Sequence, residues 1–184
     1  GNARPLPGFL LEANNPFKIS KTFAIDWGIG HYVMNDTRYV DNTQLHYKRL
    51  GLITKFNENN ILTLKVQHYA QWAGTSPEWG KLKSGFKDFV NVFFSHIEGE
   101  TLNNLGNHLG SILLKYDLKN KFGEFSIYHD HYIEDGSGTR WANFPDGLWG
   151  IYFKPNNQLV ISSILYEYID TVDQSGISVG SGKD

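Results

Sequence analysis

The stretch PFKISKTFAIDWGIG, residues 16–30, has an apolar residue at nearly every second position. The apolar residues alternate with charged residues, hydroxyl residues and glycines, and only Lys21 interrupts the alternation. A period of two indicates a β-strand with one apolar face and one polar face. An ordinary strand has about five or six residues, so this stretch predicts a strand of unusual length.

The same alternation recurs along the chain and predicts six further strands. The connections between them are alternately short and long, as in an up-and-down meander whose short turns all lie at one end. The seven predicted strands are residues 16–30, 45–56, 61–72, 106–118, 122–134, 147–154 and 158–170. The short turns are residues 57–60, 119–121 and 155–157, and the long connections are residues 31–44, 73–105 and 135–146.

The length of the strands favours a membrane protein over a soluble one. A transmembrane strand needs roughly 9 to 11 residues, and outer-membrane barrels have short turns at one end and long loops at the other. We therefore expect an all-β fold, a portion of an antiparallel up-and-down transmembrane β-barrel, with residues 1–184 as a single segment. A soluble β-sandwich is the alternative that the composition leaves open.

The number of predicted strands is too small for a closed barrel. Single-chain bacterial barrels have an even number of strands, with a minimum of eight, and an open edge in lipid leaves backbone groups unpaired. Either the chain contains further strands or it is a portion of a larger barrel. The Gly/Ser-rich sequence at 175–184 resembles an interrupted loop, so we expect the chain to be incomplete at one or both ends.

Composition argues against several classes of function. The net charge of -2 gives no electrostatic footprint for nucleic acid. The sequence has no cysteine, which rules out disulfides and thiolate metal sites. We expect no cofactor.

One segment of the longest connection follows helical rather than strand spacing. Phe86, Phe89 and Phe93 lie on one face of a helix predicted for residues 84–96, with Ser84 as its N-cap. This apolar face needs a cover. Other loops, the barrel mouth or a partner protein would each provide one.

The polar side of the alternation would face the barrel lumen. It includes Lys65, Gln67, Lys115 and Glu167. Because an acid among lumenal residues is expected to pair with a base, we predict a contact between Glu167 and Lys65, Lys115 or Arg49.

Seven short motifs occur together in the last two thirds of the chain. They are QWAG (71–74), GFKDFVNVFF (85–94), LGNHLGS (105–111), IEDGSG (133–138), DGLWGIY (146–152), LYEYIDT (165–171) and QSG (174–176). In order and approximate spacing, this set resembles the capsule-assembly Wzi family in the form found in Bacteroidota, from about residue 60 onwards.

The resemblance implies an outer-membrane β-barrel of a Gram-negative bacterium, with many more strands than seven. The better-known members of the family act as surface lectins that help to anchor capsular polysaccharide, without known catalysis. The partners implied are membrane lipid or lipopolysaccharide, surface polysaccharide and other outer-membrane proteins.

A polysaccharide-binding surface combines aromatic rings, which cover sugar rings, with carboxylates and amides, which bond sugar hydroxyls. The long connections carry both kinds of side chain. The candidate ligand-binding residues are Trp79, Glu134, Asp135, Trp141, Asn143, Asp146 and Gln174, with Phe144 beside them. Alternatively, the aromatic residues cap the barrel mouth and the aspartates organise turns.

Two patterns are compatible with chemistry but incomplete. Glu134 and Asp135 suggest a glycosidase pair, yet adjacent strand residues point to opposite faces and cannot flank one bond. The HDH motif at 129–131 places two imidazoles on one face, and a metal site would need a third ligand such as His68 or His108. We expect neither an enzyme nor a metal site.

Three other functions remain open from the sequence. A porin-like passive pore would conduct ions, and a structural subunit of a larger outer-membrane complex would co-purify with other envelope proteins. A soluble β-sandwich carbohydrate-binding module would need no detergent.

Overall fold

The computed structural model describes residues 5–35, 37–95, 107–134, 138–157 and 160–172. The chain divides into two compact units. The first unit comprises Gly1–Asn14, Trp27–Arg49 and Gln67–Leu109, and the second unit comprises Asn15–Asp26, Leu50–Val66 and Gly110–Asp184.

The described residues are mostly β-strand, with one short α-helix and a 3-10 turn. The strands are β1 (Gly8–Glu12), β2 (Phe17–Lys18), β3 (Phe23–Met34), β4 (Thr43–Asn57), β5 (Asn60–Trp72), β6 (Thr75–Ser76), β7 (Gly80–Lys81), β8 (Asn107–Lys119), β9 (Gly123–Ile133), β10 (Gly147–Pro155) and β11 (Ile164–Asp170). The helix α1 is Phe86–Phe93, and the 3-10 turn is Gly138–Arg140. Within these ranges, neither helical segment has the length and the apolar character needed to span a membrane.

One large antiparallel sheet contains nine of these strands, in the order β1-β3-β4-β5-β8-β9-β10-β11, with β2 paired to β3. The remaining two strands, β6 and β7, form a small hairpin. The large sheet has the consecutive, up-and-down order that the sequence predicts. Within the described ranges its order ends at β1 and β11, and no closed barrel is detected.

The prediction of one strand over 16–30 is wrong, because this stretch folds into the two strands β2 and β3. The Ser20 hydroxyl accepts hydrogen bonds from the backbone N–H groups of Thr22 at 3.1 Å and Phe23 at 3.0 Å. These bonds close a turn at Lys21, the residue that interrupts the alternation. Strands β2 and β3 therefore pair side by side instead of continuing as one strand.

The prediction of seven strands is also too low. It omits β1, which pairs with β3 over five residues, from Gly8 opposite Tyr32 to Glu12 opposite Gly28. The last strand was predicted to begin too early. The observed strand β11 begins at Ile164, and the described residues 160–163 lie outside it. The other five predicted strands agree with β4, β5, β8, β9 and β10 to within two residues at each end.

Burial along β3 is the reverse of that in a soluble sheet. Ala24, Asp26, Gly28 and Gly30 are buried, whereas the large apolar residues between them are exposed or half-buried. The same holds in the second unit, where large aliphatic side chains are between 42% and 53% exposed. These are Leu64, Val66, Leu114, Ile127 and Ile151.

The strand register sorts the side chains of β8 to β11 into two faces, because directly paired residues point to the same side of a sheet. One cross-strand row, on what we call the apolar face, is Tyr116, Ile127, Ile151 and Tyr166. The next row, on the polar face, is Lys115, Tyr128, Gly150 and Glu167.

Helix α1 is shorter than predicted, and its N-cap is Gly85 rather than Ser84. The Gly85 N–H donates to the Asp88 carboxylate at 2.8 Å, which satisfies one of the unpaired donors at the start of the helix. Within the first unit, Val92 is 0% exposed. It forms a small core with Ala70, Trp72 and Ala73, and Phe89 packs against this core.

Candidate functional site

The loop after β9 carries a cluster of aromatic rings in the second unit. The Trp141 ring stacks on His131 with centroids 4.2 Å apart, and the Trp149 ring stacks on His129 with centroids 4.0 Å apart. Phe144 lies edge-on to both His129 and Trp149. We call these five residues the aromatic cluster.

Backbone hydrogen bonds fold the loop into consecutive turns. The N–H of Trp141 donates to the Gly138 carbonyl at 3.0 Å, and the N–H of Phe144 donates to the Trp141 carbonyl at 3.1 Å. The N–H of Asp146 donates to the Asn143 carbonyl at 2.8 Å. The loop is therefore held by its own backbone before any ligand arrives.

Side chains anchor the same loop to β9 and β10. The Asn143 amide donates to the Tyr132 carbonyl at 3.0 Å, and the Trp149 indole donates to the Pro145 carbonyl at 3.0 Å. The imidazole Nε2 of His131 lies 3.0 Å from the Gly138 carbonyl, to which it donates. Each bond connects the loop to a strand residue, so the loop moves with the sheet.

The structure brings three of the predicted ligand-binding residues, Trp141, Asn143 and Asp146, into this one loop. Asn143 and Asp146 are buried, whereas Trp141 is 45% exposed. Glu134 is exposed at the end of β9. Trp79 is exposed in the first unit, in the turn between β6 and β7. The other two candidates, Asp135 and Gln174, lie outside the described residues.

On the polar face, Glu167 has a different partner from the one predicted. The Tyr128 hydroxyl donates to the Glu167 carboxylate across Gly150. The predicted contact of Glu167 with Lys65, Lys115 or Arg49 is not among the ion pairs of the described residues, in which each of these bases pairs with another acid. The ion pairs are Arg49–Glu12 at 2.7 Å, Lys65–Asp26 at 3.3 Å and Lys115–Asp117 at 2.9 Å.

The other predicted lumenal residue, Gln67, is also bonded, since its amide oxygen accepts from the Tyr47 hydroxyl at 3.2 Å. The polar face of the second unit includes a recess of about 540 Å³ near the short turns. Lys115, Asp117, Glu124 and Tyr128 line it. Lys115 pairs with Asp117, Glu124 pairs with Lys119 at 3.3 Å, and Tyr128 donates to Glu167, as is typical of a structural polar face.

Histidines concentrate in two places. In the first unit, His68 Nε2 lies 3.0 Å from His108 Nδ1 and 2.9 Å from the Ser95 hydroxyl. In the second unit, His129 and His131 belong to the aromatic cluster. The part of the chain that the structure describes contains no group of three or more His, Cys, Asp or Glu side chains placed to hold a metal ion.

The three helix residues expected to face a partner differ in environment. Phe89 lies edge-on to His46 and His31, and Phe93 contacts the ring of His46. These two side chains therefore pack within the first unit. Phe86 is 83% exposed.

Sequence reasoning overlooked the stacking of histidines on tryptophans. The alternation does put His129, His131 and Trp149 on the same face of their strands, and this signal was present in the sequence. The partner that completes the stack, Trp141, comes from the loop, whose course has no period to follow.

The fold and the site together define a class of protein. Its members have an up-and-down antiparallel sheet with exposed apolar strand faces, and an aromatic loop held by hydrogen bonds. The chain belongs to the family described as capsule assembly protein Wzi, whose family model matches residues 1–181. The match includes the first 60 residues, which the motifs alone did not connect to the family. It says nothing of lineage, so the Bacteroidota form stays a prediction. No curated protein and no solved structure matches the chain.

Proposed function

We propose that this protein is an outer-membrane β-barrel protein, or a portion of one, that binds surface or capsular polysaccharide during capsule assembly, without catalysis. The observation that carries the proposal is the reversed burial of the strands. Large aliphatic side chains on the apolar face are about half exposed, while Asp26 and Ser111 are buried.

Exposed apolar strand faces are costly in water. Moving a large aliphatic side chain out of water gains about 1.5–3 kcal/mol, and soluble monomers rarely expose large contiguous apolar patches. In lipid the same faces have no such cost, while the polar face satisfies its charges through pairs such as Lys65–Asp26. Alternation of lipid-facing and interior residues is the pattern of a membrane β-barrel.

The loop of the aromatic cluster is the element that we assign to polysaccharide binding. Its hydrogen bonds fix the conformation in advance, which reduces the entropy lost when a ligand binds. The exposed part of the Trp141 ring offers an apolar surface to the C–H face of a sugar ring, and the exposed Glu134 can accept hydrogen bonds from hydroxyls. The side chains of Asn143 and Asp146 are buried and stabilise the loop from its inner side. Trp79 is a second exposed ring of the same kind.

The test is a pair of substitutions of exposed aromatic residues in the second unit. In purified protein, Trp141→Ala should weaken binding of surface polysaccharide from the source cells by about 1–2 kcal/mol, a factor of roughly 5 to 30. The matched control is Phe122→Ala, which removes an exposed ring from the short turn between β8 and β9. Equal binding by both variants and the unaltered protein would overturn the assignment.

A further inference from the structure

Helix α1 has a wider apolar surface than the first unit covers. Its inner side packs on the sheet through Phe89, Val92 and Phe93. A second apolar edge, of Phe86, Val90 and Phe94, follows the i, i+4, i+8 spacing along the outside of the helix. On this edge Phe86 is 83% and Phe94 62% exposed. The helix therefore presents two large rings to its surroundings.

Lysines accompany this edge. Lys81, Lys83 and Lys87 are exposed in the segment that leads into the helix and in its first turn. The single acid of the helix, Asp88, is engaged with the Gly85 N–H. Three cations beside an apolar edge are complementary to a surface that is anionic outside and apolar inside.

A recess beside the helix extends the apolar surface. It has a volume of about 270 Å³ and is lined mainly by rings and aliphatic side chains, including Phe9, Ile29, Trp72 and Phe89. Its lining includes residues of the strands β1, β3, β4 and β5 as well as the helix. A shallow apolar recess of irregular shape suits a flexible acyl chain.

We propose that α1 is an interfacial helix: its Phe86–Phe94 edge enters the lipid at the long-loop side of the membrane, and its lysines bind anionic lipid headgroups. Aromatic residues on one side and lysines on the other are the features by which helices lie in a membrane interface. The inference rests on the proposed outer-membrane function, and it adds a lipid-binding element outside the strands.

Site-directed fluorescence tests this directly, because the sequence has no cysteine to remove. An environment-sensitive fluorophore is attached to Phe94→Cys on the helix edge, to Ile151→Cys on the apolar face, or to Glu58→Cys in an exposed short turn. Each labelled protein is reconstituted into phosphatidylcholine vesicles with brominated acyl chains, with and without phosphatidylglycerol. Phe86→Cys gives a second report from the helix edge.

We expect bromine quenching at positions 94 and 151 and little at position 58. Phosphatidylglycerol should increase the quenching at position 94, and the combined substitution Lys81→Gln, Lys83→Gln and Lys87→Gln should abolish that increase. The matched control neutralises three lysines near the short turns, Lys119, Lys121 and Lys154, and should leave the quenching at position 94 unchanged.

The other outcomes separate the inference from the proposed function. Quenching at position 151 but not at 86 or 94 would overturn the interfacial helix, leave its edge to a partner protein and keep the membrane function. Quenching at position 94 that is the same with and without phosphatidylglycerol would overturn the role given to the lysines. Absence of quenching at position 151 would overturn the proposed function and the inference with it.

Discussion

Gly150 shows how one residue determines the arrangement of the polar face. It lies between Tyr128 and Glu167 in the strand register, and a Cβ at this position would be 2.0 Å from Cζ of the Tyr128 ring. Only a residue without a side chain lets the ring cross β10 and reach the carboxylate. The glycine is therefore needed for space, not for an unusual backbone conformation.

Substitution of Gly150 by alanine should displace the Tyr128 ring and break its bond to Glu167. We expect a loss of about 1–3 kcal/mol in the free energy of unfolding, the range for overpacking, measured by denaturant titration in detergent. The matched control is Gly51→Ala, because a Cβ there would lie 3.4 Å from its nearest neighbour, an ordinary contact. Equal losses at the two positions would contradict the steric argument.

Asn143 is the residue that ties the aromatic loop to β9 through the Tyr132 carbonyl. Asn143→Ala leaves this carbonyl without its donor, at a cost of about 1–3 kcal/mol, and should make the loop more sensitive to limited proteolysis. Polysaccharide binding should fall even though Trp141 is intact. Asn156→Ala, which removes an exposed amide bonded to two carbonyls at the other ends of the strands, is the control and should change neither measurement.

At the scale of elements, the sequence predicts the long strands well, because each continues its alternation over many residues. The hairpin at Ser20 and Lys21 was overlooked because the apolar residues on both sides of the turn keep the same parity, so the single interruption at Lys21 does not shift the period. Strand β1 was overlooked because its five residues are too few to establish a period. Its existence depends on pairing with β3, a tertiary contact.

The attachment of α1 to the first unit depends on Val92, which the sequence does not distinguish from Val90 by residue type. Val92→Ala should leave a cavity beside Trp72 and cost about 1–3 kcal/mol of local stability. We expect faster amide hydrogen exchange throughout α1, followed by mass spectrometry. Val90→Ala on the outer edge is the matched control and should leave this exchange nearly unchanged. Faster exchange with Val90→Ala but not with Val92→Ala would contradict this assignment of the two faces of the helix.

The candidate site was only partly predictable from the sequence. Residue type identified Trp141 and Asn143, because aromatic rings and amides in a long loop suit sugar binding. Burial separates their roles, since Asn143 is inside the loop and Trp141 is on its surface. That difference arises from how the loop folds onto β9, and neither composition nor periodicity encodes it.

At the scale of the whole molecule, the reversed burial predicts opposite responses to charge on the two faces of one strand. Ile151 belongs to the apolar face and Tyr152, the next residue of β10, to the polar face. A lysine on a lipid-facing strand position costs about 2–4 kcal/mol near the membrane centre. Ile151→Lys should therefore lower the amount of folded protein in membranes much more than Tyr152→Lys. Equal effects, measured by quantitative blotting of membrane fractions, would contradict the assignment of the faces.

We propose that the apolar strand faces contact lipid and that the protein acts at the outer membrane. Extraction of the native protein from cells tests this proposal. We expect the protein to sediment with the outer-membrane fraction, to stay there through washes with salt and alkaline carbonate, and to be released by detergent. Recovery of a monodisperse protein in buffer without detergent would contradict the claim, because the apolar faces would then be packed against protein.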